Sequence, residues 1–337
     1  MYPLIRSLLF LLDPEIAHNA TLMSLPWLHR LGLLALLAPP RVECPRTVMG
    51  LRFPNPVGLA AGLDKDGTCI DALGALGFGF IEVGTVTPRA QMGNSHPRMF
   101  RLPAASALIN RMGFNNLGVE SLVAHLRRAR FDGVVGVNIG KNRDTSLEQA
   151  VDDYLFCLRA VYPDADYVAV NLSSPNTPQL RRLQLGDTLS RLLATLKAEQ
   201  GRLTTQHGRI VPIAVKIAPD LSPDEVDDLA RILLAEGMDG VIATNTTVAR
   251  EAVAHLPHGK EEGGLSGAPL TTQATAVVER LHAMLSNRIP IIGSGGILTV
   301  EDAVARQAAG ASLVQLYTGF IYHGPALVAD VARALKG

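Results

Sequence analysis

Residues 167–178 read YVAVNLSSPNTP, an apolar run followed at once by serines, asparagines and two prolines. The run from Tyr167 to Val170 is typical of a buried strand. Pro175 and Pro178 fix φ and remove backbone donors, so the strand must end before them and the chain must turn in a rigid loop. The polar side chains of this loop form either a capped turn or part of a site, and the ends of the other strands decide between the two.

Similar apolar or β-branched runs alternate with stretches of helical period along most of the chain. Eight of them predict strands, at residues 57–61, 80–84, 136–139, 167–171, 213–217, 240–244, 289–293 and 313–317. Helices are predicted at residues 69–76, 147–162, 188–199, 223–236, 271–285, 300–309 and 325–336. Eight parallel strands with crossover helices close most naturally into an α/β (β/α)8 TIM barrel. An open dinucleotide-binding sheet lacks support, because no GxGxxG motif opens a helix.

Composition excludes several classes of function. The 337 residues include 31 Lys and Arg and 31 Asp and Glu, so no net charge attracts nucleic acid. Cys44, Cys69 and Cys157 are widely spaced and form no CxxC motif, which predicts reduced thiols and no metal site. His255 and His258 have metal-like spacing but lie beside a proline and a glycine, and we expect a surface loop there.

Residues 1–40 are predicted to form a small helical domain, followed by a barrel domain of residues 41–337. The first segment is rich in leucine, but none of its apolar runs approaches the roughly 20 residues that a spanning helix needs. Helices are predicted from Pro14 to about Arg30 and from Leu31 to Ala38. From the residues alone, they are either a cap packed on the core or a hairpin lying in the membrane interface.

Two further segments interrupt the alternating pattern. Residues 85–131 separate the second and third predicted strands and are dense in Arg, Asn and Gly, which predicts a lid or binding surface. Residues 259–267 are glycine-rich and are predicted to be a flexible connector.

The active site of an α/β barrel lies at the carboxyl ends of its strands. Here those ends carry amides, hydroxyls and two lysines, Lys65 and Lys216. Gly295 and Gly296, together with residues 317–319, predict a phosphate anchor. A phosphorylated ligand beside lysines points to flavin mononucleotide (FMN), because Lys216 suits the stabilisation of the negative charge that appears when the isoalloxazine is reduced.

Ten motifs in order make the pattern more specific: GLAAGLDKDG, GTVTPR, NRMGFNN, GVNIGKN, NLSSPNTP, AVKIAPD, ATNTT, GGLSG, IIGSGGI and LVQLYTGF. Together they resemble the quinone-dependent, class 2 dihydroorotate dehydrogenases of pyrimidine biosynthesis. The resemblance implies oxidation of (S)-dihydroorotate to orotate, with FMN as hydride acceptor and a membrane quinone as final acceptor, on the way to UMP.

The resemblance also assigns roles to individual residues. Ser174 is the implied base, which takes the C5 proton while hydride leaves C6, and Lys65 is a further catalytic residue. Because serine is a poor base and the stretch contains no histidine to activate it, we hypothesise that Thr177, with a bound water, relays the proton. The soluble members of the family place cysteine where this chain has Ser174. The implied FMN-binding residues are Ala61, Gly62, Leu63, Asp64, Lys65, Thr85, Asn138, Asn171, Lys216, Thr244, Gly267, Gly296, Tyr317 and Thr318. The implied substrate-binding residues are Lys65, Asn110, Arg111, Met112, Gly113, Phe114, Asn171, Asn176, Asn245 and Thr246.

In enzymes of this class the N-terminal extension sits on the membrane and admits quinone, so the resemblance favours the interfacial reading of residues 1–40. His18, Arg101 and Tyr317 are the polar candidates for the quinone tunnel. The expected location is peripheral, on the cytoplasmic side of the inner membrane. The rival interpretations are a flavin barrel with another electron partner, a non-redox phosphate-binding isomerase barrel, and a catalytically silent, membrane-attached binding barrel.

Overall fold

Eight parallel strands close into a barrel in this computed structural model, which describes residues 2–336. The barrel strands are β3 (Val57–Leu59), β4 (Phe80–Val86), β7 (Val134–Ile139), β8 (Tyr167–Asn171), β9 (Ile213–Ile217), β10 (Gly240–Ala243), β12 (Ile291–Ser294) and β13 (Ala311–Leu316). Their order around the barrel is β3-β4-β7-β8-β9-β10-β12-β13, and β13 pairs again with β3. The predicted TIM barrel is therefore confirmed, and each predicted strand overlaps one of these eight.

Helices surround the barrel and bury one face against it, as the helical period predicts. They are α3 (Ile70–Gly74), α4 (Val119–Leu126), α5 (Ala150–Val161), α6 (Gly186–His207), α7 (Pro223–Ala235), α8 (Thr271–Leu285), α9 (Val300–Ala308), α10 (Thr318–His323) and α11 (Pro325–Ala334). Short 3-10 turns lie at Leu33–Leu36, Pro103–Ala105, Leu180–Gln184 and Ala268–Leu270. Helix α7 begins with a capping box in which Ser222 and Glu225 satisfy each other's backbone N–H groups.

The bottom of the barrel is closed by an antiparallel hairpin, β1 (Arg46–Val48) and β2 (Leu51–Phe53). Phe53 packs edge-to-face on Phe80, with ring centroids 5.2 Å apart. The site therefore opens only toward the carboxyl ends of the strands, where loops and a second sheet rise above the barrel.

That second sheet is built from the long insertion and from the stretch predicted to be a flexible connector. Strands β5 (Met99–Leu102) and β6 (Ala107–Asn110) form a hairpin, and β11 (Gly264–Gly267) pairs antiparallel with β6. The connector prediction was wrong for residues 264–267, because Leu265 packs into an apolar cluster with Phe100 and Ile109. Antiparallel pairing with β6 therefore holds Gly264 and Gly267 in a regular strand.

The N-terminal segment differs from its prediction in two places. Helix α2 (Pro14–Arg30) is present as predicted, and helix α1 (Tyr2–Phe10) precedes it although no helix was predicted there. Residues 31–38, predicted to be helical, contain only a 3-10 turn, because Gly32 adopts a left-handed φ of 70° after α2. Tyr2 donates a hydrogen bond to the carbonyl of Ile321 at 2.6 Å and joins α1 to α10. Among residues 2–336, the helices are too short or too polar to cross a membrane.

Candidate active site

A cavity of about 980 Å³ lies at the carboxyl ends of the barrel strands. It brings together most of the residues named by the resemblance: Ala61, Gly62, Lys65, Thr85, Asn110, Met112, Gly113, Phe114, Asn171, Ser174, Asn176, Lys216, Thr244, Asn245, Thr246, Gly267, Gly296, Tyr317 and Thr318. Leu63, Asp64, Arg111, Asn138 and Thr177 do not line it.

Asn138 supports the cavity wall from behind. Its side-chain oxygen Oδ1 accepts hydrogen bonds from Thr85 Oγ1 at 2.5 Å and from Asn171 Nδ2 at 3.1 Å. Its amide group donates to Glu82 at 2.8 Å. With all of these bonds made to protein, Asn138 fixes the orientation of Thr85 and Asn171, which do line the cavity.

Glu82 is a fully buried carboxylate beneath the cavity, and the prediction from sequence missed it. Its oxygen Oε1 accepts hydrogen bonds from Asn138 and, at 3.3 Å, from Lys216 Nζ. Its other oxygen, Oε2, accepts from the Tyr167 hydroxyl at 2.9 Å and from the Gln315 amide at 2.7 Å. Burial, and after it the charge of Glu82, raises the pKa of the Tyr167 hydroxyl well above its usual value. The carboxylate thus anchors Lys216 at the cavity floor and compensates its charge.

Lys65 and Asp64 point in different directions from the loop after β3. Lys65 Nζ donates to the carbonyl of Gly62 at 2.9 Å, and burial, with the nearby charge of Arg98, lowers its pKa to about 8. Asp64 instead accepts from the backbone N–H groups of Thr68 and Cys69 at 2.9 and 2.7 Å. Lys65 therefore offers a cation to the cavity, whereas Asp64 shapes the loop.

The loop after β8 is held as rigidly as its prolines predict. Ser173 donates to Asn171 Oδ1 at 3.1 Å and accepts from Asn245 at 2.9 Å. Ser174 lines the cavity, and its hydroxyl oxygen accepts from the backbone N–H of Asn176 at 3.2 Å. The hydroxyl of Thr177 is buried and has no hydrogen-bond partner among the described residues. This leaves Thr177 chemically available to a water or a transferred proton.

The segment from Asn110 to Phe114 covers the opposite side of the cavity. Asn176 Nδ2 donates to the carbonyl of Asn110 at 3.1 Å and ties this segment to the loop after β8. The side chain of Arg111 pairs with Glu261 at 2.8 Å, its backbone N–H and carbonyl bond to Arg98 and Asn94, and the residue lies outside the cavity lining.

The loop after β12 forms one end of the cavity with Gly295 and Gly296, at φ values of 95° and 71°. A Cβ on Gly296 would overlap the backbone of Thr271, so only glycine fits there. Thr271 Oγ1 donates to the carbonyl of Gly296 at 2.6 Å. The backbone N–H groups of Gly295, Gly296 and Ile297 make no hydrogen bond with the described residues, an arrangement that suits an anion.

A second cavity, of about 1570 Å³, lies between the N-terminal helices and the barrel. His18, Arg101 and Tyr317 all line it, in otherwise largely apolar surroundings. Burial, and next the charge of Lys65, lowers the pKa of His18 to about 3, so its imidazole is neutral. Arg101 donates to the carbonyl of Leu12 at 2.6 Å and so also satisfies the end of α1. Tyr317 borders both cavities.

Comparison with known proteins agrees with this geometry. The family model described as dihydroorotate dehydrogenase matches residues 44–337. A protein of Paraburkholderia xenovorans is 59% identical over 336 residues, covering 100% of this chain and 99% of its own, and one of Burkholderia thailandensis is 59% identical over 335 residues, covering 99% and 97%. Both are named dihydroorotate dehydrogenase (quinone).

Solved structures give the same result. DHODH from Eimeria tenella in complex with ferulenol superposes with a TM-score of 0.87 at 39% identity, over 96% of this chain and 90% of that chain. Its ligand-free form gives 0.86 at 39% identity, over 96% and 94%. Taken with the family model, these similarities show that the chain belongs to the dihydroorotate dehydrogenase family.

Proposed function

We propose that this protein oxidises (S)-dihydroorotate to orotate in de novo pyrimidine biosynthesis, with FMN as hydride acceptor and a membrane quinone as final electron acceptor. The observation that carries the proposal is the pair of cavities, one polar and one largely apolar, that meet at Tyr317. A polar substrate and an apolar electron acceptor require two such chambers beside one redox centre. Full-length similarity to relatives named for the quinone reaction supports the same assignment.

The residues of the polar cavity fit FMN. Lys216 at the floor provides a positive charge, and Gln315 has a buried amide oxygen without a partner among the described residues, which an N–H of the ring system would satisfy. The loop of Gly295 and Gly296 suits the phosphate. When bound, FMN supplies the two-electron chemistry, because it accepts hydride from the substrate and passes electrons on. The chain would hold it with the eleven assigned residues that line the polar cavity, while Leu63, Asp64 and Asn138 lie outside the lining and would act through their neighbours.

The asparagines suit a flat, uracil-like ring with a carboxylate. An amide side chain both donates and accepts, so Asn110, Asn176 and Asn245 can satisfy groups all around the ring edge. Lys65, whose pKa is about 8, is mostly protonated at neutral pH and would bind the carboxylate. A site made of hydrogen bonds also rejects analogues that leave its polar groups unpaired.

Ser174 is the proposed base for the C5 proton. A rigid loop favours catalysis because a base must stay aligned with one face of the substrate. The prolines fix this loop, together with two hydrogen bonds of Ser173, which donates its backbone N–H to Asn171 and accepts from Asn245. A serine hydroxyl is a weak base. The buried, unpartnered hydroxyl of Thr177 supports the relay proposed for it, with a water completing the path.

The apolar cavity is the proposed path for quinone, with His18, Arg101 and Tyr317 along its wall. Leucines on α1 and directly after it face outward: Leu8 on the helix is 67% exposed, and Leu11 in the turn that follows is 82% exposed. Exposed apolar side chains on a short helix favour insertion into a membrane surface. We therefore propose residues 1–40 as a membrane-associating domain, peripheral on the cytoplasmic side of the inner membrane.

The visible spectrum of the full-length protein tests the proposal directly. Under anaerobic conditions we expect a flavin spectrum that bleaches on addition of dihydroorotate and returns on addition of a short-chain ubiquinone. A flavin that dihydroorotate does not reduce would refute the substrate. Reduction without reoxidation by quinone would refute the acceptor, and a colourless protein that cannot be reconstituted with FMN would refute the flavin.

A further inference from the structure

Arg306 on α9 is the largest completely buried side chain, with 0% exposure. It forms no ion pair with the described carboxylates. Burial lowers the pKa of Arg306 to about 10, and among the described residues only the charge of Asp302, one turn earlier on α9, opposes that shift. The Asp302 carboxylate accepts hydrogen bonds from the backbone N–H groups of Leu298 and Thr299 and so caps the helix. A buried guanidinium without a carboxylate partner is costly. Its position therefore calls for a reason beyond packing.

The guanidinium lies behind the loop that follows β12. Nη1 donates to the carbonyl of Ser294 at 3.1 Å, and Nη2 donates to the carbonyl of Gly295 at 2.8 Å. Nη2 also reaches the carbonyl of Thr271, at 3.3 Å, and Nε reaches Thr275 Oγ1 at 3.2 Å. One side chain thus joins this loop to the start of α8.

These bonds fix which way the loop amides point. In a trans peptide the C=O and the N–H of the same unit point in opposite directions. Because Arg306 binds the carbonyls of Ser294 and Gly295 from behind, the N–H groups of Gly295 and Gly296 are turned away from it, and both residues line the polar cavity. Thr271 Oγ1 donates to the carbonyl of Gly296 and thereby orients the N–H of Ile297, which belongs to the same peptide unit.

We infer that Arg306 is a positioning residue for the phosphate of the flavin: it aims the loop amides at the phosphate and places a buried positive charge behind them. The inference rests on the proposed function. A phosphate dianion would compensate the guanidinium through the loop, as an ion pair compensates a charge in a low-dielectric interior. Gly293 belongs to this arrangement, because a Cβ there would meet Arg306 Cγ at 2.5 Å.

The alternative role is a strut that only keeps β12, α8 and α9 together. The two roles differ in what they predict for ligands with and without a phosphate. Loss of a strut weakens binding of FMN and riboflavin by similar factors, because both depend on the same barrel rim. Loss of a phosphate-positioning residue weakens FMN binding and spares riboflavin.

The test uses full-length protein freed of flavin and titrated with FMN or riboflavin, with flavin fluorescence as the readout. The variants are Arg306→Gln, Arg306→Met and Arg306→Lys. Methionine keeps the apolar stem and buries no charge, so it provides a well-packed variant if glutamine prevents folding. Lysine retains the charge but not the fork of donors, so it serves as a partial rescue.

In Arg306→Gln and Arg306→Met we expect FMN affinity to fall roughly 10-fold to 100-fold, the size expected for one charge-assisted contact. Riboflavin affinity should change less than about threefold, and Arg306→Lys, which keeps the charge but not the fork of donors, should restore part of the preference for FMN. A parallel loss of both affinities, or unchanged FMN affinity, would overturn the inference. A wild-type protein that binds neither flavin would refute the proposed function itself, whereas equal wild-type affinity for the two would leave a flavin protein and overturn only the phosphate site.

Discussion

Helix α2 is attached to the barrel rim by one buried ion pair, and its removal is the sharpest test of how the N-terminal segment is held. Glu15 and Arg98 are 7% and 6% exposed. Arg98 donates to the Glu15 carboxylate through Nη2 at 2.7 Å and Nε at 3.1 Å. Its other terminal nitrogen donates to the carbonyls of Met92 and Asn94, at 2.7 and 2.9 Å.

The variant Glu15→Gln keeps the size of the side chain and removes its charge. Arg98 then remains buried without a carboxylate partner, and breaking a buried pair in this way costs about 3 to 5 kcal/mol of stability. The loss is expected first at α2 and at the loop around Asn94, because both depend on Arg98. A local destabilisation of about 3 kcal/mol corresponds to exchange of the α2 amide protons roughly a hundredfold faster.

Hydrogen exchange of α2 and urea unfolding of the whole protein together measure this effect. The matched control is Asp330→Asn, which breaks the exposed pair with Arg333 on α11, where the expected change is within about 0.5 kcal/mol. If Glu15→Gln exchanges its α2 amides at the wild-type rate and unfolds within about 0.5 kcal/mol of wild type, the pair does not hold the segment and the reasoning fails.

Three further predictions concern chemistry and membrane binding. Ser174→Ala should retain flavin yet slow anaerobic flavin reduction by dihydroorotate roughly 100-fold or more, as for loss of a general base; near-normal reduction in stopped flow would contradict its role. Lys65 carries its charge below its pKa of about 8, so the dissociation constant of orotate should rise as pH increases from 7 to 9, and Lys65→Met should bind weakly with a flatter profile. The double variant Leu8→Ser with Leu11→Ser should weaken binding to anionic phospholipid vesicles on the order of tenfold in a co-sedimentation assay. The control Ile210→Ser, at a site 68% exposed on the barrel, should leave vesicle binding unchanged.

Much of the fold follows from local pattern. Each strand of a parallel barrel is buried on both faces, so it appears as an apolar run, and each outer helix shows one apolar face. The polar residues after those runs collect at one rim because all strands run in the same direction. This is why Lys65, Asn171 and Lys216 could be placed at one site before their distances were known, with the family resemblance assigning their roles.

The features that sequence reasoning missed depend on contacts between distant segments. The strand at residues 264–267 exists because β6 pairs with it. The α1 helix is held by contacts with α10, such as the hydrogen bond from Tyr2 to Ile321, which cannot be predicted from a local sequence pattern. Arg306 lies on the buried face of α9, one turn after Ala303, where the helical pattern predicts an apolar residue, and Gly293 leaves room for its stem.

The barrel, the rim that carries the site and the rigid turn after Asn171 can be predicted from the amino-acid sequence, because periodicity and proline act within a few residues. Three features depend on how distant segments pack: Glu82 anchors Lys216, Arg306 lies behind the loop of Gly295 and Gly296, and Tyr317 borders two cavities. The charge partner of a buried side chain is set by which segments meet in space, and that depends on the closure of the whole barrel.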